Sequence, residues 1–288
     1  MRSICFFASY FESVQLPYYV RVYLLDLKKQ VTELVLLSTQ KNLNAESLEF
    51  LNEHNITLQI EANEGFDFGL WYKAFQKTDL HSYDRVLLVN DSCMLFKPLD
   101  EVMSWANHAK ADFMGITQSE AIAPHLQSYF LILNKTCLPF VDDYFKQKGL
   151  LKNITEVIST YEVGLSTYLL SKDLRMTAYS DNNGYTGEFS PYYQCVDYHI
   201  TKGIPLIKKK IIFSTYRKDE LFTLARMNFN INNNYYISLI KKTNPSLLLD
   251  FDRLAAETPD GLSQIQKWKY AAMTLFIRVF KPLYKKLK

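Results

Sequence analysis

Glycine is scarce in this chain, nine residues in 288. None falls in a G-x-G-x-x-G or G-x-x-x-x-G-K-[ST] spacing. Those loops need glycine because backbone N–H groups must come close to a phosphate, so a Rossmann dehydrogenase and a P-loop NTPase are both excluded. The four cysteines, Cys5, Cys93, Cys137 and Cys195, form no C-x-x-C pair. Three lie in or beside apolar runs and read as buried free thiols in a reducing compartment, not as zinc ligands. No run reaches the ~18 apolar residues of a membrane span. The apolar stretch after Met1-Arg2-Ser3 is too short for a signal peptide. The expected location is therefore cytoplasmic. Acidic residues are absent after Asp260, where seven basic ones follow: Lys267, Lys269, Arg278, Lys281, Lys285, Lys286 and Lys288. Residues 1–260 hold the other 26 basic residues and all 30 acidic ones. A mildly acidic body of this kind excludes nucleic acid as its partner.

Aromatic residues are plentiful, with 20 Tyr and 19 Phe, and predict a sizeable aromatic core. Short apolar runs predict strands at Ile4–Ala8, Glu33–Ser38, Ile56–Ile60 and Val86–Val89. Helical patterns lie between them, at Leu16–Lys29, at Ala45–Leu51 with Asn44 as N-cap, and from Phe68 to Phe75. Strands alternating with helices give βαβ units and parallel pairing. Beyond them, Asp112–Ile116 and Ser128–Leu133 read as strands, Leu206–Phe213 as a late strand or extended segment, and Thr136–Lys148 and Ile154–Leu170 as helices. The expected fold class is an α/β sheet flanked by helices. The expected domains are 1–225, carrying the chemistry, and a helical extension, 226–288.

Candidate chemistry sits where strands end. Val86–Val89 runs into Asn90-Asp91-Ser92, and ligands of open α/β sheets bind at the carboxyl ends of strands. A carboxylate there can meet a metal-bound diphosphate or a sugar hydroxyl, although Asn-Asp-Ser is also ordinary turn chemistry. Asn63-Glu64-Gly65-Phe66-Asp67-Phe68-Gly69 follows the third strand. Its two glycines suit a tight turn that brings backbone to a ligand. Phe66, Phe68 or Trp71 could stack on a base or sugar, or all could be core. His125, Gln127 and Ser128 gather at a strand beginning. Glu162 reads either as a first-turn acid complementing a helix dipole or as a general base. Lys208-Lys209-Lys210 could meet a diphosphate or guard an edge strand; strand alternation would put Lys209 on the face opposite Lys208 and Lys210. From Trp268 onward, Ala272, Leu275, Phe276, Val279, Leu283 and Leu287 recur at helical intervals among lysines. Residues 262–288 then read as an in-plane anchor on a membrane surface or as a helix docked on the body.

Six phrases in order carry a family resemblance: NEGFDFGLWYKAF (63–75), YDRVLLVNDSCMLFKPL (83–99), DFMGITQS (112–119), HLQSYFLILNK (125–135), YEVGLSTYLL (161–170) and GIPLIKKKII (203–212). Over about residues 1–215 the chain resembles the rhamnan synthesis protein F family, bacterial glycosyltransferases of cell-surface polysaccharide assembly. The resemblance implies a GT-A-like fold. It also implies a nucleotide-sugar donor and a growing, lipid-linked glycan acceptor of O-antigen or capsule type, at the inner face of the cytoplasmic membrane. By the same resemblance, Ala8, Tyr10, Asn63, Gly65, Asp67, Phe68, Asn90, Asp91, Ser92, Lys208 and Lys210 contact the donor. His125, Gln127 and Ser128 contact the acceptor, with Glu162, then Asp91, as the catalytic base that deprotonates it. Asn90-Asp91-Ser92 stands where that fold carries a D-x-D metal motif. With a single carboxylate, a divalent cation (Mg²⁺ or Mn²⁺) would be held mainly by phosphates and water; lysines are the metal-independent alternative. Two other readings stay open: a non-catalytic carbohydrate- or nucleotide-binding subunit, and a sugar nucleotidyltransferase, disfavoured by the missing Gly-rich loop after the first strand.

Overall fold

The computed structural model describes residues 1–120, 122–180, 199 and 202–212. The expected helical extension, 226–288, and Cys195 lie outside them. The chain divides into two units. One comprises Met1–Met94, Pro98–Gln118 and Ala123–Tyr179; the other comprises Leu95–Lys97, Ser119–Ile122 and Ser180–Lys288.

The first unit is built on a mixed sheet. Its strands are β1 (Ser3–Ser9), β2 (Glu33–Ser38), β3 (Thr57–Ile60), β4 (Arg85–Asn90), β6 (Phe113–Ser119), β7 (His125–Leu126), β8 (Phe130–Asn134) and β9 (Met176–Ser180). β5 (Cys93–Leu95) follows β4 directly. The order is β3-β2-β1-β4-β8-β6-β7, with β9 also on β6. β3, β2, β1 and β4 are parallel, as the βαβ reading predicts. β8 then runs antiparallel to both β4 and β6. Parallel strands need a crossover, and α1 (Tyr18–Gln30), α2 (Ala45–Glu53) and α3 (Phe66–Phe75) supply three. The later helices are α4 (Asp100–His108), α5 (Leu138–Lys148), α6 (Ile154–Val157) and α7 (Gly164–Leu170). Sequence pattern predicts no α4, β5, β7 or β9.

β1 is buried along its whole length because helices cover both faces. Ile4, Phe6 and Ala8 join Trp71, Phe75 and Phe145 in one aromatic cluster. Phe7 points the other way and meets Tyr23 of α1 edge-on at 5.1 Å. Tyr23 is fully buried and, among the described residues, its hydroxyl has no hydrogen-bond partner. An unsatisfied buried hydroxyl costs free energy that a phenyl ring does not. Tyr23→Phe is therefore expected to hold or raise stability, by up to about 1 kcal/mol in denaturant unfolding.

Asn44 caps α2 as the sequence predicts, its side chain accepting from the Ser47 N–H at 3.0 Å. Asp112 ties the start of β6 to its neighbours. It accepts from the Thr136 hydroxyl at 2.8 Å, from the Arg175 N–H at 2.9 Å and from the Arg175 guanidinium at 3.2 Å. Burial alone would raise its carboxyl, but these donors outweigh burial and hold it below the usual carboxylate value. A depressed folded-state value stabilises above the unfolded-state value and loses that contribution as pH falls through the folded one. Asp112→Asn is expected to destabilise at neutral pH, with the gap to the native protein closing below about pH 4. Urea melts across pH check this.

In the second unit, Phe96 N–H donates to Pro205 O at 2.7 Å, and the Ser180 hydroxyl lies 2.7 Å from His199 Nδ1. β10 (Leu206–Lys208) ends where a helical turn, Lys209–Ile212, begins. The expected strand or extended segment to Phe213 is therefore cut short, and the strand alternation of Lys208 and Lys210 against Lys209 does not hold: two of the three lysines belong to the turn.

Candidate functional site

At the carboxyl end of β4, Asp91 is 7% exposed and Asn90 3%. The Asp91 N–H donates to Ala8 O at 3.1 Å, fixing the turn against the end of β1. Its Oδ2 accepts from the Ser9 hydroxyl at 3.0 Å and from the Tyr19 hydroxyl at 3.3 Å. The Asn90 amide donates to Asp67 Oδ2 at 2.7 Å. In turn the Asn90 Oδ1 accepts from the Ser92 hydroxyl at 2.6 Å and from its N–H at 3.1 Å. Asn90, Ser92 and Asp67 thus form one hydrogen-bonded set, and Asp91 with Ser9 and Tyr19 another, both at the carboxyl end of β4. Ser9 and Tyr19 carry no sequence signal; nothing local marks a residue that meets its partner 72 or 82 positions away. Next to Tyr19, a cleft of about 390 Å³ opens between Ser13, Gln15, Leu16, Tyr18, Arg21 and Glu46. It is of the size that takes small ligands, and none of its residues stands out in the sequence.

The turn into α3 explains its glycines differently from expectation. Gly65 is left-handed, and a Cβ there would meet Leu150 Cδ1 and Leu151 O at 2.8 Å. At Gly69 a Cβ would lie 1.9 Å from Glu64 O. Both close approaches are to the chain itself. Phe66, also left-handed at φ 57°, is 46% exposed, an unusual conformation for a bulky residue. Phe68 is buried, stacked on Tyr161 at 5.0 Å and edge-on to Trp71 at 4.9 Å. Its ring faces are filled, so Phe68 serves the core and offers no surface for a donor to stack on. Ala8 is likewise fully buried inside β1, whereas Tyr10 is 53% exposed and Asn63 is exposed. Lys208 and Lys210 belong to the second unit.

A second cluster adjoins the first through one residue pair. Asn90 N–H donates to Tyr129 O at 3.3 Å, continuing the antiparallel β4–β8 ladder. Ser128, one residue earlier, donates its hydroxyl to Glu162 Oε2 at 3.4 Å. His125 Nε2 lies 4.0 Å from Glu162 Oε1. His125, Ser128 and Glu162 therefore meet beside the β4 terminus. Gln127 joins them only by chain: it is 4% exposed, and its Oε1 has no partner among the described residues. His125 is 4% exposed as well. Glu162 is not at a helix start. It stands in a π-helical turn, Ile158–Val163, between α6 and α7, which removes the helix-dipole reading. Such turns widen a helix locally and recur at functional sites.

A profile of the rhamnan synthesis protein F family (RgpF) matches residues 34–257. The chain belongs to this family. The rhamnan synthesis protein F match starts later than the expected span, leaving β1 and α1 outside, and runs past residue 220 into the region expected to be an unrelated extension. No curated protein matches the chain. Among solved structures, a protein described as a nucleotide-diphospho-sugar transferase, from Desulfovibrio desulfuricans G20, is 15% identical. The match covers 89% of this chain and 98% of that one, with a TM-score of 0.43. S. aureus TarS 1–349 is 14% identical over 88% and 81%, TM-score 0.42. A cytidylyltransferase from Leptospira borgpetersenii is 13% identical over 86% and 96%, TM-score 0.40.

The donors around Asp91 do not make a metal cage by themselves. Asp91 contributes one carboxylate, whose Oδ2 already accepts from two hydroxyls. Among the described residues, no three His, Cys, Asp or Glu side chains group as ligands. No helix among them is long and apolar enough to cross a membrane.

Proposed function

We propose that this protein is a glycosyltransferase of cell-surface polysaccharide assembly. It would move a sugar from a nucleotide-diphosphate donor to a lipid-linked glycan such as O-antigen or capsule, on a GT-A-like body. The observation that carries this reading is the meeting of two clusters at one sheet edge, Asn90-Asp91-Ser92 with Asp67 on one side and Glu162 with Ser128 on the other. In this reading the first cluster holds the donor. An acceptor hydroxyl gives its proton to Glu162 while its oxygen bonds to the anomeric carbon. The bond from that carbon to the diphosphate breaks, and the diphosphate leaves with its electron pair. This is a single displacement, helped by a base worth about 10²–10⁴-fold.

The test is a thermal-shift screen against UDP-, GDP- and dTDP-sugars, with and without Mn²⁺. A ligand at a hundredfold excess over its dissociation constant stabilises by about 2.7 kcal/mol. Asp91→Asn is expected to lose most of that shift without lowering the ligand-free melting temperature by more than a few degrees. No shift with any sugar nucleotide would sink the reading. One observation favours a second reading, a subunit that binds but does not react: Ser9 and Tyr19 already engage the Asp91 carboxylate. Release of free sugar from the donor without acceptor distinguishes the two, because a binder turns nothing over.

A further inference from the structure

His125 has a fixed tautomer. Its Nδ1 lies 2.7 Å from the Ala123 carbonyl oxygen, which can only accept. Nδ1 therefore carries the hydrogen, and in the neutral ring Nε2 presents a lone pair. That lone pair faces Glu162 Oε1 at 4.0 Å. The other carboxylate oxygen, Oε2, takes the Ser128 hydroxyl at 3.4 Å. The ring is buried in β7, and the next residue, Leu126, is anchored by its N–H to the Ser166 hydroxyl of α7 at 3.2 Å. Glu162 itself is more open, with 22% of its side chain exposed. The arrangement has a partly open carboxylate in front and a buried, tautomer-locked imidazole behind it. No hydrogen lies between Nε2 and Oε1 in this state, and 4.0 Å suits two facing acceptors; the contact becomes a hydrogen bond only when a proton enters it, and such contacts tighten in the reacting complex.

We infer that His125 is a positioning residue that takes over the proton Glu162 collects and, once protonated, holds the freed carboxylate through its Nε2–H. The inference rests on the transferase reading of Glu162. In the first step the acceptor O–H bond breaks and a Glu162 O–H bond forms. In the second, that O–H bond breaks and a His125 Nε2–H bond forms. The ring is then an imidazolium whose Nδ1–H stays on the Ala123 carbonyl, and Glu162 is again a carboxylate. The Nε2 proton returns to Glu162, the more exposed member of the pair, and passes from there to solvent to close the cycle. The groups facing the pair are the Ala123 carbonyl from the approach to β7, Ser128 from the β7–β8 turn, and Glu162 from the π-turn. A buried histidine kept only for packing needs no such tautomer and no carboxylate at its second nitrogen.

Two measurements test this on the full chain. Nitrogen NMR of the histidine ring at neutral pH reads the tautomer without any substrate. Hydrogen on Nδ1 supports the inference and hydrogen on Nε2 overturns it. The second is transfer kinetics of His125→Asn, whose amide can still donate to Ala123 but lacks the second nitrogen. The expected result is a kcat lower by on the order of 10²-fold, with KM held and the acid limb of the pH–rate profile displaced. His125→Gln, which places an amide near the Nε2 position, is expected to recover part of the positioning but not the pH dependence. Native kcat and pH profile in His125→Asn would overturn the role even where the native enzyme transfers sugar normally. If the native protein transfers no sugar, the transferase reading fails, and the ring tautomer still decides whether the His125–Glu162 geometry is as described.

Discussion

Glu162→Gln should lower sugar transfer by on the order of 10²–10⁴-fold while leaving the fold and donor affinity in place. The amide keeps the shape of the carboxylate and can still accept from the Ser128 hydroxyl, which lies 3.4 Å from Oε2. The surrounding π-turn is set by backbone and by Tyr161, whose hydroxyl donates to Gly149 O and whose ring stacks on Phe68 at 5.0 Å. Nothing in that packing depends on the Glu162 charge. The lost property is the ability to take a proton, so the deficit should fall on kcat and leave KM unchanged. Steady-state kinetics with a competent donor and acceptor, beside a thermal melt, checks both halves. Native turnover in the variant would remove Glu162 from the role of base and transfer the question to Asp91.

Gly69→Ala should destabilise by about 3 kcal/mol or more, since overpacking against a rigid neighbour sits at the upper end of its usual range. For a body of this size that is a fall in melting temperature of roughly 6–12 °C. The added Cβ would lie 1.9 Å from Glu64 O and 2.8 Å from Glu64 C, both backbone atoms. A flexible side chain could swing aside, but a backbone carbonyl cannot move without carrying the turn before α3. That turn already holds Gly65 and Phe66 in the left-handed region. Moving it also moves Asp67, which accepts from Asn90 at 2.7 Å. Sugar-nucleotide binding is therefore expected to weaken with stability. Gly149→Ala is the control: no atom lies within 4 Å of its Cβ position, although its positive φ of 65° still carries a strain cost.

Part of this architecture is legible in the residues alone. Val86–Val89 reads as a buried strand because four apolar residues in a row fit an element covered on both faces, and β4 is buried at every position. Asn44 reads as a cap because its side chain can satisfy a first-turn N–H, and it does. Pattern does not settle Phe68. An aromatic beside an acid at a strand end suits a stacking surface and a core equally, and only the rings of Trp71 and Tyr161 decide for the core. The π-turn is likewise invisible in the pattern, since one inserted residue barely disturbs helical periodicity over 154–170.

Strand-end chemistry and family membership follow from residue order, because periodicity and short polar motifs are local properties that residues carry wherever they fold. The company those motifs keep is a matter of tertiary structure. Folding brings Ser9 and Tyr19 to Asp91, and His125 and Ser128 to Glu162, across chain separations of 34 to 82 residues. Such meetings depend on strand order and register. An antiparallel β8 laid beside a parallel β4 sets Tyr129 against Asn90, and with it the neighbouring Ser128, which donates to Glu162.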